Sequence, residues 1–93
     1  MYLHLGQAVV VRQQDIVGVF DMDNTTISRF TRSFLQNAEK NGHVEYVSME
    51  LPRSFTVCSP ARRAGRTDAR RQKVYISQIS PRTLQKRADA DED

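Results

Sequence analysis

Apolar positions along this chain fall in short blocks, and polar punctuation returns before most blocks are long enough to be a helix. Tyr2-Leu3-His4-Leu5 reads as a short strand ended by Gly6-Gln7. Ala8-Val9-Val10-Val11 is β-branched and continuous, as a buried strand would be. Gln13-Gln14-Asp15 reads as a turn and Ile16-Val17-Gly18-Val19-Phe20 as a third apolar strand, so the first twenty residues predict a meander of three strands with tight links. The period then changes. Phe30, Phe34, Leu35 and Ala38 fall on one helical stripe, with Thr26 or Ser28 as cap and Asn41-Gly42 as the closing pair that tolerates left-handed backbone. The stripe is read as core, while Arg29, Arg32, Ser33, Gln36 and Lys40 face water or a partner.

Beyond the helix, Val44–Val47 and Ser54–Cys58 read as strands, separated by Met49-Glu50-Leu51-Pro52-Arg53. Residues 59–73 have no apolar periodicity and carry Pro60, Gly65 and scattered charge, so they read as a loop. Val74-Tyr75-Ile76-Ser77 is a last strand, and Ser80-Pro81 opens a short helix in which Leu84 and Ala88 share a face. The expected fold class is α+β: a small, mostly antiparallel sheet, one main helix after the third strand, and a short C-terminal helix. The expected organisation is one domain over residues 1–88, with an arginine-rich insertion loop at 59–73 and a disordered acidic tail at 89–93.

At 93 residues the core must be thin, and small domains often recover stability through disulfides, metals or self-association. The single cysteine, Cys58, excludes an internal disulfide, and with His4 and His43 far from it in sequence no zinc site is expected. Self-association is the remedy left open. No cofactor is expected. No run of about 18 apolar residues is present, so no membrane partner is expected. The start Met1-Tyr2-Leu3-His4-Leu5-Gly6 lacks the basic and apolar regions of a signal peptide, which makes the cytoplasm the expected compartment. Cys58 at a strand end is read as a small core residue and His4 as a structural histidine.

The net charge of +3 conceals blocks of opposite sign. Residues 1–58 hold five basic and six acidic side chains, a balance of −1. Residues 59–73 set Arg62, Arg63, Arg66, Arg70, Arg71 and Lys73 against Asp68 alone, giving +5. Arg82, Lys86 and Arg87 add +3, and Asp89, Asp91, Glu92 and Asp93 take back four. Several arginines close together attract phosphates with steep salt dependence, although such runs also serve simply as solvated surface. No aromatic interrupts them, so base stacking on single strands is not indicated.

One stretch looks catalytic. Val17-Gly18-Val19-Phe20-Asp21-Met22-Asp23-Asn24-Thr25 resembles the nucleophile motif of haloacid-dehalogenase-type phosphatases, in which Asp21 would attack phosphorus and Asp23 would handle the leaving-group proton. That fold needs a doubly wound parallel sheet and later phosphate- and metal-binding motifs, and each βαβ unit takes about 30 residues. This chain has neither the motifs nor the length, so the aspartates are read as a turn before the helix and no enzymatic activity is expected.

Over most of its length the chain resembles the RemA/RemB extracellular-matrix regulator family of Gram-positive bacteria, closest to the RemB-like branch. The resemblance is carried by MYLHLGQAVVV, DIVGVFDMDNTT, TRSFLQNAEKNGHVEYV, LPRSFTV and VYISQISPRTLQKRA. It implies a compact α+β subunit that assembles into rings and regulates transcription of biofilm-matrix genes by binding double-stranded DNA. In the RemA branch it implies DNA contacts from an arginine just before the strand matching Ile16–Phe20 and from an arginine pair before the strand matching Ser54–Cys58. Here those positions read Asp15 and Leu51-Pro52, and the nearest basic residues are Arg12 and Arg53. The candidate DNA-contacting set is therefore Arg12, Arg29, Arg32, Arg53, Arg62, Arg63, Arg66, Arg70 and Arg71. The alternative is a structural or protein-interaction member of the same family that keeps the ring without binding DNA.

Overall fold

The computed structural model describes residues 2–22, 28–59 and 72–91. Strand β1 (Tyr2–Gly6) pairs antiparallel with β2 (Val9–Arg12). The hairpin turns where Gly6 takes φ +115° and Gln7 takes φ 49°. Only glycine enters the first of these conformations without a Cβ penalty. A single 3-10 turn over Gln13–Asp15 then leads into β3 (Ile16–Asp21).

Here the expected three-strand meander is corrected. β1 and β2 form a two-stranded sheet of their own, and β3 joins a second sheet of order β3-β5-β6-β4. In it β5 (Ser54–Cys58) and β6 (Lys73–Ser77) are antiparallel neighbours, while β4 (Val44–Tyr46) runs parallel to β6. The reason lies in the composition of β3. Ile16 and Val19 pack towards one apolar cluster, whereas Val17 and Phe20 point to the opposite face of the sheet. A strand apolar on both faces gains more from a sheet covered on both sides than from a hairpin exposed on one. The α+β class and the mainly antiparallel pairing hold, with β4–β6 the one parallel pair among the described strands.

Helix α1 (Arg29–Lys40) starts at Ser28, whose Oγ accepts the Thr31 backbone N–H at 3.1 Å. It ends in a Schellman arrangement: the N–H of His43 donates to the Ala38 carbonyl at 2.8 Å, that of Gly42 to Glu39 at 3.0 Å, and Gly42 takes φ +76°. The helix docks through its C-terminal half, where Ala38 is buried with Phe55, Val57, Val74 and Ile76 and is flanked by Phe34 and Leu35. Phe30 does not join this core. It is 85% exposed, a correction to the stripe expected from its spacing. Helix α2 (Pro81–Asp91) is capped by Ser80, whose Oγ accepts the Thr83 N–H at 3.3 Å. Its Leu84 completes the other core with Leu3, Leu5 and Val11. The helix extends through Asp91, so Asp89 is helical and does not begin a disordered tail.

The two cores lie on opposite faces of β5. Phe55 and Val57 belong to the α1 side, while Cys58 belongs to the core under the hairpin and α2. Ser77 ties that hairpin to the sheet. Its Oγ donates to the Leu5 carbonyl at 2.7 Å and accepts the Ile79 N–H at 3.0 Å, while Ser54 Oγ donates to the Ile79 carbonyl at 2.6 Å. Ser77→Ala leaves the buried Leu5 carbonyl without this donor and is expected to destabilise the domain by about 1–3 kcal/mol. A lowered midpoint in urea with an unchanged slope is the expected readout; an unchanged midpoint would show that the link contributes nothing.

Candidate functional site

Of the nine arginines picked out by sequence, the structure places four. Arg12 closes β2 and is exposed, with Nε 3.9 Å from a carboxylate oxygen of Asp15. The two sit three residues apart because the 3-10 turn folds Asp15 back beneath the end of β2. The Asp15 carbonyl accepts the Ser59 N–H at 2.8 Å, which fixes the exit of β5 beside Arg12. Cys58 pairs with Lys73 at the start of β6. Ser59 and Lys73, which bracket residues 60–71, therefore lie at the end of the sheet where Arg12 lies. Arg62, Arg63, Arg66, Arg70 and Arg71 themselves lie outside the described residues, as do Asp23, Thr25 and Thr26.

Arg53 is at the other end of β5. Its N–H donates to the Ser77 carbonyl at 2.9 Å and its carbonyl accepts the Met22 N–H at 2.9 Å, so its backbone is clamped between β3 and β6 while the residue is exposed. Six residue steps of extended chain lead from it to Ser59, on the order of 20 Å. Arg29 and Arg32 are exposed on the first turn of α1. The structure thus places Arg12 beside Ser59 and Lys73, which bracket residues 60–71, and Arg53 at the other end of β5. Gln72 lines one hollow with Phe30 and Thr31, so the first turn of α1, which carries Arg29 and Arg32, lies near the same exit.

A basic residue missed by the candidate set is Lys73, which flanks the same exit. Its Nζ lies 3.0 Å from a Glu45 carboxylate oxygen and 5.3 Å from the Tyr75 ring centroid. The bond to Glu45 raises its pKa above the ordinary lysine value, so it stays cationic. By sequence it closes the arginine-rich loop at 59–73; in the structure it is the first residue of β6. Tyr75 beneath it is shifted upward, mainly by burial.

The chemistry expected of a catalytic site does not converge. Asp21 ends β3 and is exposed, and β3 pairs antiparallel with β5, whereas the phosphatase arrangement requires a parallel sheet around its nucleophile. Among the described residues no group of three His, Cys, Asp or Glu side chains could hold a metal ion. Among the described residues no helix is long and apolar enough to cross a membrane. His4 stands exposed on β1, where it pairs with Val10, and its carbonyl accepts an Arg87 guanidinium N–H at 3.3 Å.

Cys58 is buried, as read from the sequence, and its thiol is pushed up to about 11, chiefly by burial and secondarily by the negative charge of Asp15. A raised acidic pKa favours the protonated folded state. The resulting stability is present below the unfolded value of 9.0 and declines as pH rises towards about 11. Unfolding midpoints are expected to fall across that alkaline window and to fall less in Cys58→Ala. An identical alkaline slope in the two proteins would rule the thiol out as the cause.

No family model matches the chain. It is, however, 35% identical over 89 residues to extracellular matrix regulatory protein B of Bacillus subtilis strain 168, an alignment that covers 95% of this chain and 90% of the relative. Near-complete coverage in both directions makes this a whole-domain relationship, consistent with the single α+β unit described above. The chain belongs to the RemA/RemB-like family of extracellular matrix regulatory proteins.

Proposed function

We propose that this protein is a cytoplasmic, ring-forming transcriptional regulator of extracellular-matrix genes that holds double-stranded DNA through phosphate contacts. The observation that carries the reading is the convergence, at one end of the sheet, of Arg12, Lys73 and both ends of the arginine-rich stretch. The relative's name, a regulatory protein of the matrix, supports the regulatory part. A loop bearing five arginines, repeated around a ring, multiplies weak contacts into strong binding without any single deep site. Arg53 would reach DNA only along a surface that spans several copies, because it lies at the other end of β5, whereas Arg29 and Arg32 stand on the helix turn that shares a hollow with Gln72.

A second reading, a family member that assembles without binding DNA, is favoured by one feature: Arg12 already faces Asp15, which offsets its charge. Gel shifts on a duplex fragment separate the two. Binding is expected at low salt, with log affinity falling linearly in log salt. Replacing Arg62, Arg63, Arg66, Arg70 and Arg71 together by alanine is expected to flatten that slope by up to about 4.5, at roughly 0.9 per lost phosphate contact. No shift by the wild-type protein even at low salt would establish the second reading.

A further inference from the structure

The two edges of the four-stranded sheet carry unlike apolar surfaces. At the β3 edge, Val17, Phe20, Phe30 and Phe34 rim a hollow of about 280 Å³ floored by Phe55 and Val57. Its rim is open to solvent: Phe30 is 85% exposed and Val17 is 62%. The shape is built in. Phe20 stacks on Phe55 with ring centroids 4.9 Å apart, and a Cβ on Gly18 would meet the Phe20 ring at 2.8 Å, so the glycine lets the ring lie flat. Arg29 and Arg32 stand on the helix turn beside this hollow.

At the opposite edge the relief and charge are reversed. Tyr46 at the end of β4 is 53% exposed, Met49 is fully exposed, and Leu51 is 81% exposed on the loop that follows. Exposed Glu50 sits between Met49 and Leu51. Isolated apolar side chains on a surface mean little, but a thin-cored domain that places aromatic and aliphatic groups at both edges marks contact surfaces.

We infer that the Tyr46–Leu51 edge of one copy seats in the Phe30 hollow of the next, in a head-to-tail contact between copies of this chain. Met49 is a flexible apolar side chain suited to fill an aromatic-lined hollow. Glu50 meets the Arg29 and Arg32 side, so the charges complement as well as the shapes. A hollow seats a protruding edge and not a second hollow, so the contact joins unlike surfaces of the two copies. A heterologous contact repeats from copy to copy until it closes on itself or runs on as a filament. This rests on the assembly part of the proposed function and specifies the surfaces that make it.

The test uses Phe30→Glu to block the hollow and Met49→Glu with Leu51→Glu to block the edge. All three positions are exposed, so circular dichroism should show folded proteins. By light scattering, wild type is expected as a closed assembly and each variant alone near the monomer mass of 10.7 kDa. Mixed in equal amounts at high concentration, the two variants retain one intact contact between them and are expected to give a species of twice the monomer mass. Variants that keep the wild-type mass, or a mixture that stays monomeric, would overturn the inference while leaving assembly itself intact. A monomeric wild type would overturn assembly and this contact together.

Discussion

Everything in this domain depends on β5 being covered on both faces. All five residues from Ser54 to Cys58 are buried, so a single short strand serves as the wall between two cores. On one side α1 lies over Phe55 and Val57; on the other the β1–β2 hairpin and α2 close over the Ser54, Thr56 and Cys58 face. A chain this small cannot build one thick core, and sharing one strand between two thin ones recovers burial without added length. The arrangement has a cost in polar groups. Ser54 and Ser77 meet it with hydrogen bonds to the Ile79 and Leu5 carbonyls, while the Thr56 hydroxyl is buried with no partner.

The same arrangement decides where charge can go. With β5 and β6 interior, the link between them has to leave the sheet at one end, beside Arg12 and Lys73. Loop closure costs grow only slowly with length, so a stretch of arginines between β5 and β6 is a cheap place to vary surface chemistry.

The apolar edges follow from the same economy. β3 and β4 are the outer strands, and α1 is too short to seal the sheet beyond its C-terminal half. The residues left outside are aromatic and aliphatic, and their exposure is easier to understand as surface held for a neighbour than as packing that failed. Phe30 makes the point: its spacing is that of a core residue, and it lies on the core side of the helix, yet it overhangs the end of the sheet's coverage.

Much was legible in the sequence because it is set by short-range rules. The bounds of β5, the 3-10 turn at Gln13–Asp15, the caps at Ser28 and Ser80, and the stop at Gly42 follow from local backbone preferences that hold in any fold. The inert character of Cys58 was also readable, since a lone cysteine ending an apolar strand is usually buried. What the sequence could not supply was partnership. Nothing local says that β3 abandons the hairpin for β5, that β4 pairs parallel with β6, or that Phe30 lies past the sheet's edge. It also could not say that Arg12 lies at the mouth of the arginine-rich stretch while Arg53 lies at the far end of the same strand. Pairing and proximity are long-range quantities, fixed by which faces bury each other, and only the tertiary structure decided them.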